Sequence, residues 1–288
     1  KAQDLRAWFL SMQYWLGGSD DNVESMIRFL VGRYAGRDDW RQEAALPIAY
    51  PEVGLYHPDL PDHHITTQAD DLPRPDAPVA TVGLLMLRSY ILASDAAHYD
   101  AVIRSFEAQN IRVIPAFAGG LDGTPAIDEY FQGRVDAMVS LTGFSLVGGP
   151  AYNDNAAATD VLTSLDIPYI AAHPLEFQTL DQWSRSSGGL GPIETTMLIA
   201  LPELDGATTP TVFAGRHGAS GCAGCAHKCA PTGNRQMAPC PERIEVLSDR
   251  VAKRVQQRRG DKADRKLAIV LFGFPPNAGA AGTAVARC

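Results

Sequence analysis

Several motifs that mark common enzyme classes are missing from this sequence. The chain contains no Gly-Lys dipeptide, so it has no Walker A lysine that could reach a triphosphate, and it lacks the G-x-G-x-x-G spacing of dinucleotide-binding loops. The nucleophile elbow G-x-S-x-G and the zinc-protease motif H-E-x-x-H do not occur either. The glycine-rich stretch "NAGAAGT" follows a strand-like run but is a weak nucleotide signal. We therefore assign no ATP binding to this chain.

Long apolar runs and an excess of positive charge are missing as well. No stretch reaches the roughly 20 apolar residues that a membrane-spanning helix needs. The net charge of -8 argues against nucleic acid as the main partner. Five cysteines in 288 residues do not make a secreted disulfide scaffold. Clustered cysteines in a reducing compartment more often bind metal, so we expect a cytoplasmic protein without a transmembrane segment.

The two ends of the chain are atypical of a complete protein. The first residue is Lys1, and the sequence "AGTAVARC" stops shortly after a strand-like run without a helix to cover it. We expect a fragment of a longer polypeptide.

The first segment, 1–46, is expected to be helical. Apolar residues from Leu5 to Leu16 recur at helical spacing, and Gly17 and Gly18 form a natural stop. Ser19 is the predicted cap of a second helix whose apolar stripe runs to Tyr34. The pattern predicts a helical hairpin with both apolar stripes packed in a core.

The next segment, 47–78, is rich in Pro, Asp and His, which is typical of a loop or linker. His57, His63 and His64 lie here. They could bind a metal, but solvated loop histidines are the more ordinary interpretation.

From 79 to 215 the pattern indicates an α/β domain. Strand-like runs such as "VATVGLLML", "IRVIPAF", "VDAMVSL" and "IPYIA" alternate with helical stretches, one of them predicted to begin at Ser94. This alternation is typical of βαβ units with a parallel sheet and flanking helices. Ligands of such sheets bind beyond the carboxyl ends of the strands.

Several acidic and glycine residues follow these predicted strands. Gly143, Phe144, Gly148 and Gly149 belong to a loop that lets the backbone approach a ligand, and neighbouring Ser145 is interpreted as structural or ligand-lining. The run "TTMLIALPELDGA" is predicted to be a strand that ends in an acidic turn. The acids and the histidine at predicted strand ends are Glu176, Glu203, Asp205 and His173. Most such residues are caps or surface groups, and a role in proton abstraction requires partial burial and a raised pKa.

Four cysteines form a compact pattern between 216 and 241, which we treat as a Cys-rich insertion. The spacing of Cys222, Cys225, Cys229 and Cys240 is C-x2-C-x3-C-x10-C, in a Gly, Ala and Pro segment that can wrap an ion. Four thiolates suit a tetrahedral zinc or an iron–sulfur cluster. The grouping of three cysteines and then one favours a cluster, while zinc, with His227 as a substitute ligand, and free thiols remain open. Residues 242–288 are expected to form a helix and the start of a further α/β unit.

Longer stretches of the sequence resemble a known family. "MQYWLGGSDDNVESMIRFLVGRYA", "YPEVGLYHP", "SLTGFSLVGGPAYND", "PYIAAHPLEFQTLDQW", "ALPELDGA" and "VLFGFPPNAGAAGTA" are similar to the large subunit of magnesium chelatase. Within that family they most resemble the version of the bacteriochlorophyll pathway. The large subunit of cobaltochelatase is the nearest alternative.

The resemblance implies a function that the residue pattern alone does not give. The family's large subunit binds protoporphyrin IX and is where Mg2+ enters the ring, while two smaller subunits, one an AAA+ ATPase, supply the ATP-driven work. Its bacterial bacteriochlorophyll members carry a cysteine motif like the one here, associated with an oxygen-sensitive iron–sulfur cluster, which we expect to be of the 4Fe-4S type, with zinc as the alternative. After "NAGAAGTA" the family continues with a long helix and with further histidines and acids of the active site, whereas this sequence ends in "VARC". We therefore expect the fragment alone to be inactive.

The resemblance also ranks the candidate residues. Mg2+ favours oxygen ligands and dehydrates reluctantly, so carboxylates are the expected escort and base. Glu203 is the first candidate because it matches an acidic motif of the family, Glu176 is the second, and Asp205 and His173 support them. The loop at 143–150 is expected to face the macrocycle. The competing function is a non-catalytic module in which an iron–sulfur cluster senses redox state.

Overall fold

The computed structural model describes residues 2–149, 152–231, 236–266 and 268. Lys1–Val255 forms one compact unit and Gln256–Cys288 a second. The described part of the second unit contains the end of the last helix and a 3-10 turn at Lys262–Asp264. The predicted further α/β unit beyond it lies outside the described residues.

The chain begins with three helices, α1 (Ala2–Gly17), α2 (Asp20–Tyr34) and α3 (Asp38–Glu43). Ser19 caps α2 as predicted, since its hydroxyl accepts a hydrogen bond from the Asn22 N–H at 3.1 Å. The predicted hairpin is therefore present. The predicted packing is wrong for much of its apolar stripe, because large side chains of both helices remain exposed. Those of α1 are Leu5, Trp8, Phe9 and Leu16, and those of α2 are Ile27 and Tyr34.

Eight strands of the described residues form one sheet in the order β2-β1-β4-β3-β5-β6-β7-β8. The strands are β1 (Val53–Tyr56), β2 (Ile65–Thr66), β3 (Ala80–Leu87), β4 (Ile111–Ala118), β5 (Ala137–Ser140), β6 (Tyr169–Leu175), β7 (Thr208–Gly215) and β8 (Ala238–Pro239). The five from β3 to β7 are parallel to one another, whereas β1, β2 and β8 pair antiparallel at the edges. The predicted α/β class with a mainly parallel sheet is confirmed.

Helices connect the parallel strands and cover both faces of the sheet. They are α4 (Arg88–Leu92), α5 (Ala97–Glu107), α6 (Thr124–Tyr130), α7 (Asn155–Leu165), α8 (Leu180–Arg185), α9 (Pro192–Glu194), α10 (Leu201–Asp205) and α11 (Pro241–Arg259). One buried cluster joins the sheet to α5 and α11, and another joins it to α6 and α7. The continuous apolar runs of the central strands follow from burial on both faces.

The order of the parallel strands, β4-β3-β5-β6-β7, reverses direction next to β3. The chain moves to one side of β3 for β4 and to the other side for β5 and the later strands. Open α/β sheets bind ligands at such a reversal, beyond the carboxyl ends of the strands. The loops after β3, β5 and β6 are therefore the first place to look for a site.

The segment 47–78 is part of the sheet, so its interpretation as a linker is wrong at the level of secondary structure. β1 pairs with β4, and β2 extends β1 at the sheet edge. His57 is buried rather than solvated, and its Nε2 lies 2.9 Å from Glu107 Oε1. The two strands have four and two residues, which is too short for an alternating pattern to stand out among the surrounding Pro and Asp.

The run "TTMLIALPELDGA" is helical, not a strand. Residues Thr195–Ala200 form a π-helical turn that continues α9 into α10, and the strand predicted there is instead the following β7. Glu203 and Asp205 consequently lie on a helix. A short apolar run fits a buried strand and a buried helix equally well, so periodicity could not decide.

Two smaller expectations also differ from the structure. Ser94 has a φ of 53° and does not cap α5, which begins at Ala97 after Ala96. Strand β6 continues to Leu175, so His173 lies inside the strand rather than in the loop after it. None of the described helices is both long and apolar enough to cross a membrane.

Candidate functional site

The loop after β5 closes over the carboxyl end of the sheet. Gly143 has a φ of 79°, and a Cβ atom there would lie 3.2 Å from Leu198 Cδ2 and 3.4 Å from Pro174 Cδ. Only glycine fits this left-handed position against two neighbours without strain. Phe144 is half-buried and, with Thr142 and neighbouring residues, lines a small crevice at the reversal point between β3 and β5. The loop therefore lies where ligands of such sheets usually bind, and the crevice that remains beneath it is small.

The second half of this loop is also tightly constrained. Gly148 has a φ of 111°, and a Cβ there would lie 2.3 Å from the Tyr152 carbonyl oxygen. Gly149 packs against Leu121, which follows β4. The side chains of Leu121 and Tyr152 are exposed, so this part of the loop carries an apolar surface.

Asp205 holds this loop from beneath. Its Oδ2 accepts hydrogen bonds from the Ser145 hydroxyl and from the Leu146 N–H, both at 2.8 Å. Both Asp205 and Ser145 are buried, and Asp205 Oδ1 has no hydrogen-bond partner in the described structure. Ser145 is thus structural, one of the two roles expected for it.

Two further polar groups lie buried in the neighbouring strand β6. Burial lowers the pKa of His173 to about 4, so its imidazole is neutral at pH 7, and its Nδ1 has no partner in the described part of the chain. Burial and the nearby Asp205 carboxylate raise the pKa of Tyr169, whose hydroxyl is likewise unpartnered there. His173 is adjacent to Gly143, since a Cβ on that glycine would lie 3.7 Å from His173 Cβ.

Glu176, just after β6, is held by two side chains from other elements. Its Oε1 accepts a hydrogen bond from the Tyr90 hydroxyl, and its Oε2 accepts one from Arg216 Nη1 at 3.0 Å. Burial and the hydrogen bond to Glu176 raise the pKa of Tyr90. Both carboxylate oxygens of Glu176 are therefore engaged.

Glu194 is a buried acid that the sequence analysis did not single out. It ends α9, and its Oε1 accepts hydrogen bonds from the N–H groups of Phe177 at 3.0 Å and Gln178 at 3.2 Å. The stretch "GPIETTM" offers no motif that would have marked this residue, because its role depends on a contact with a loop some sixteen residues earlier.

Glu203 differs from the other acids because its side chain is exposed on α10. It makes no side-chain hydrogen bond or ion pair with any residue that the structure describes. Leu204 beside it is exposed as well. The predicted first candidate is therefore a free carboxylate at the surface next to an apolar side chain.

The four predicted metal-ligating cysteines lie on the other side of α8. Cys222 and Cys229 face each other, and the Cys222 N–H donates to the Cys229 carbonyl at 2.9 Å. All four are free thiols; Cys240 is buried and the other three are half-buried. Burial and the neighbouring Cys225 raise the pKa of Cys240 to about 11, and the same causes raise that of Cys229. The thiols are thus close enough to influence one another electrostatically.

The fit of a metal to these cysteines is mixed. Four thiols are the donors that zinc and iron–sulfur clusters prefer. Among the described residues, however, no three or more His, Cys, Asp or Glu side chains are arranged to hold a metal ion. A cavity of about 450 Å³ adjoins the segment and is lined by Cys222, Cys225, Cys240 and Trp183, among others. The thiols lie in one region, but they do not surround a single position that a metal ion could occupy.

A second cavity of about 450 Å³ lies between α2, β2 and α5. It is lined by Asp20, Asp21 and Asp100 together with His63 and His64. His63 Nδ1 lies 3.3 Å from Asp21 Oδ2. These two histidines are exposed, as expected for loop residues.

The structure therefore separates the predicted residues into groups. Asp205, His173 and the loop at 143–149 come together at the carboxyl end of the sheet. Glu176 lies in a separate network with Tyr90 and Arg216, and Glu203 points to solvent. The cysteines form a group of their own.

Comparisons with known proteins give a consistent relationship. A family model described as CobN/Magnesium Chelatase matches residues 12–286. The chain is 66% identical over 288 residues to the magnesium-chelatase H subunit of Rhodobacter capsulatus, covering 99% of this chain and 24% of the relative. It is also 66% identical over 293 residues to the protein of the same name from Cereibacter sphaeroides, with the same coverage. The chain thus spans about a quarter of the length of these relatives.

A solved structure shares the fold. The catalytic subunit of cobaltochelatase from Mycobacterium tuberculosis superposes with a TM-score of 0.66 at 22% identity, covering 96% of this chain and 21% of that one.

Proposed function

The chain belongs to the CobN/magnesium chelatase family, and on that premise we propose that it is part of the porphyrin-binding subunit of a magnesium chelatase. The whole subunit would insert Mg2+ into protoporphyrin IX in bacteriochlorophyll synthesis. An AAA+ ATPase subunit and a second smaller subunit would be its partners and would hydrolyse the ATP. The observation that carries this proposal is the 66% identity to magnesium-chelatase subunits across nearly the whole chain. The solved cobaltochelatase chain is 22% identical, and a cobaltochelatase subunit from Pseudomonas aeruginosa is 27% identical.

We place the macrocycle on the outer surface of the loops at the carboxyl end of the sheet. Exposed apolar side chains follow three of the strands there: Leu121 after β4, Tyr152 after β5 and Phe177 after β6. The loop with Gly143 and Phe144 lies between them. A macrocycle bound on this surface would bury apolar area, and each Å2 removed from water would contribute about 25 cal/mol to the free energy of binding.

Metal insertion requires a base for the pyrrole protons and oxygen ligands for Mg2+. Glu203 remains the first candidate because its carboxylate is uncommitted among the described residues, and a macrocycle covering this exposed group would supply the partial burial that a base requires. Glu176 is less available because Tyr90 and Arg216 already engage its oxygens. His173 is buried, so we assign it to shaping the surface under the loop.

The test is metal insertion by the full-length subunit with both partner subunits and ATP, followed by the fluorescence of the metalated porphyrin. Glu203→Ala should slow insertion by about a hundredfold or more, the usual contribution of a general base, while porphyrin binding is largely spared. Asp160→Asn is the matched control, since Asp160 is an exposed acid on α7. Insertion by Glu203→Ala near the wild-type rate would exclude Glu203 as the base.

Titration with protoporphyrin IX and with a corrin substrate separates the two family activities. We expect the subunit to bind protoporphyrin IX tightly and the corrin substrate weakly or not at all. Preference for the corrin and cobalt would instead support the cobaltochelatase function.

We also propose that Cys222, Cys225, Cys229 and Cys240 bind an iron–sulfur cluster, of the 4Fe-4S type, beside the porphyrin site. Soft thiolates are poor ligands for Mg2+, so the magnesium would not bind there. Free clustered thiols also favour a reducing compartment, and we propose the cytoplasm.

Anaerobic purification of the full-length subunit tests this second proposal. A brown protein that absorbs at about 400 nm and loses this band in Cys222→Ser would support a cluster. Ser187→Ala is the control, because Ser187 lines the same cavity without a thiol. A colourless protein with stoichiometric zinc would contradict it.

A further inference from the structure

The helical segment 192–205, made of α9, the π-helical turn and α10, contacts both loops of the candidate site. Pro202 of this segment is buried, and three other side chains are almost fully buried: Glu194 at 1% exposure, Leu198 at 3% and Asp205 at 2%. They are spaced four and seven residues apart, or about one and two helical turns, which places them on one side of the helical segment. One side of this segment therefore faces the sheet end.

The first anchor is electrostatic and holds the loop after β6. Glu194 accepts the N–H groups of Phe177 and Gln178 in the same carboxylate oxygen. These two amides directly follow Glu176. Phe177 itself is 61% exposed, so the anchor fixes the backbone while leaving the ring on the surface.

The second anchor is steric and lies between the two loops. Leu198 packs against Gly143, where any Cβ would come within 3.2 Å of its Cδ2. The same glycine position is close to Pro174 in β6. The loop after β5 is thus wedged between the π-helical turn and the strand.

The third anchor holds the loop after β5. Asp205 accepts the Ser145 hydroxyl and the Leu146 N–H. Hydrogen bonds to a charged acceptor contribute more than neutral ones. Both donors bind Oδ2, which suits Asp205 to fixing a backbone. Its unpartnered Oδ1 is buried, so it is poorly placed to take a proton from a ligand on the surface.

From this arrangement we propose that Glu194 and Asp205 are positioning residues. Together they fix the distance between the loops after β5 and β6, so that a flat macrocycle meets a surface that is already formed. This inference rests on the proposed function, and it moves Asp205 from the candidate catalytic groups to the support of the loop. The π-helical turn between the two acids fits such a role, because π turns often occur at functional sites.

The decisive comparison is Asp205→Asn against Asp205→Ala in the full-length subunit. The asparagine keeps an oxygen that can accept from Ser145 and Leu146, whereas alanine keeps none. Asp205→Ala should weaken porphyrin binding and raise its KM by about tenfold or more, as expected when a binding surface is misplaced, with kcat changed by no more than about threefold. Asp205→Asn should restore most of the loss.

The same comparison applies to the other anchor. Glu194→Gln keeps an acceptor for Phe177 and Gln178 and should behave nearly as the wild type. Glu194→Ala should raise KM for the porphyrin by about tenfold, again with little change in kcat. Amide exchange at 144–147 and 177–178 should accelerate in the respective alanine variants and return to normal in the conservative ones.

Asp136→Ala is the matched control at the opposite end of the sheet. Asp136 Oδ2 accepts the Thr81 N–H at 2.7 Å where β3 begins. This variant should lose a similar amount of stability without changing KM for the porphyrin. If Asp136→Ala raised the KM as much as Asp205→Ala does, the effects of Asp205 and Glu194 would reflect only a general loss of stability, and the proposal would be overturned.

Other outcomes are equally clear. If Asp205→Asn is as inactive as Asp205→Ala while both bind porphyrin normally, Asp205 is a proton-transfer group and the proposal is wrong. If the alanine variants match the wild type in binding and in amide exchange, the anchors have no positioning role. If the wild-type subunit neither binds nor metalates porphyrin, the proposed function fails, and the exchange data still show whether the anchors order the loops.

Discussion

The carboxyl end of the sheet and the cysteine segment at 219–231 differ in how their polar side chains are held. Asp205 and Glu194 each accept two hydrogen bonds from backbone or hydroxyl donors in buried surroundings. In the cysteine segment, all three thiols are half-buried, and a single antiparallel bridge joins Cys222 to Cys229. The sheet end is held in place by its own hydrogen bonds. The cysteine segment contains thiols that, among the described residues, are not arranged around a common metal position.

This difference teaches which region can form before its ligand arrives. Buried acids that accept hydrogen bonds stabilise one loop geometry in the absence of ligand. Clustered thiols gain comparable order only when a metal or cluster replaces their protons, because metal binding and folding are then coupled. We therefore expect the macrocycle surface to be preformed and the cysteine segment to depend on its metal.

The largest expected effect is on amide exchange in the cysteine segment of the full-length subunit. Without iron, the amides at 219–231 should exchange orders of magnitude faster than those of β3 and β4, since loops open at almost no cost and core strands open only globally. Anaerobic reconstitution of the cluster should slow the segment and leave the strands unchanged. Exchange that is slow in this segment without any metal would contradict the comparison.

The core behind the sheet end should show the next largest effect. Phe106 of α5 is fully buried in the cluster that joins the sheet to α11. Phe106→Ala should lower the free energy of unfolding by about 3–5 kcal/mol in chemical denaturation. The loss should be the same with and without iron, because the metal would not contribute to this core.

A matched variant on the surface checks that assignment. Phe177 is an aromatic residue with an exposed ring, so Phe177→Ala should change the free energy of unfolding by less than about 0.5 kcal/mol. An equal loss for both variants would mean that the two positions are not energetically distinct.

Much of the sheet could be predicted from the sequence because its signals are local. The strands β3 and β4 are continuous apolar runs bounded by turn residues. Thr179 and Gln182 form a capping box, and their spacing of three residues is the usual one for that motif. Burial on both faces requires a continuous apolar run, and reciprocal capping requires particular residues three positions apart, so both can be recognised from residues that are close in sequence.

The candidate site could be predicted only in part because its contacts are not local. Asp205 and Ser145 are sixty residues apart in the chain, and no periodicity records such a contact. The helical state of 195–205 depends on packing against the sheet end, and the sequence of this largely apolar run fits a strand equally well. Glu203 lies in a recognisable family motif. The sequence does not predict that its side chain is exposed while those of Asp205 and Glu194 are buried, and only the structure shows this difference.

Acid should destabilise the sheet side through its buried histidines. Burial lowers the pKa of His173 to about 4 and that of His98 to about 3. The unfolded chain, with histidines near pH 6.5, then binds protons that the folded chain does not, so the free energy of unfolding falls as pH drops from about 6.5 towards 4. Each histidine contributes a slope of up to ~1.4 kcal/mol per pH unit in this window.

His98→Phe isolates one of these contributions. His98 lies in contact with the rings of Tyr90, Tyr99 and Phe213, and neither of its ring nitrogens has a hydrogen-bond partner in the described structure. Phenylalanine can keep the ring contacts without titrating. Denaturant unfolding from pH 4 to 7.5 should give a shallower decline for the variant, and identical slopes would show that His98 does not contribute.

The smallest expected effect concerns α8, the helix that contacts both regions. At its start, the Thr179 hydroxyl accepts the Gln182 N–H at 3.3 Å and the Gln182 side chain accepts the Thr179 N–H at 2.9 Å. Further along the helix, Ser184 Oγ lies 3.8 Å from Cys222 Sγ. Thr179→Ala removes the cap and should cost about 1 kcal/mol in the free energy of unfolding, whereas Thr179→Ser should keep it.

The same variant tests whether the two regions are coupled. Because α8 supports one wall of the cysteine cavity, Thr179→Ala should also lower the yield of reconstituted cluster, measured by its visible absorbance. Thr159→Ala, which removes an exposed hydroxyl on α7, should change neither stability nor yield. A full yield of cluster in Thr179→Ala would mean that the cysteine segment is organised independently of the sheet.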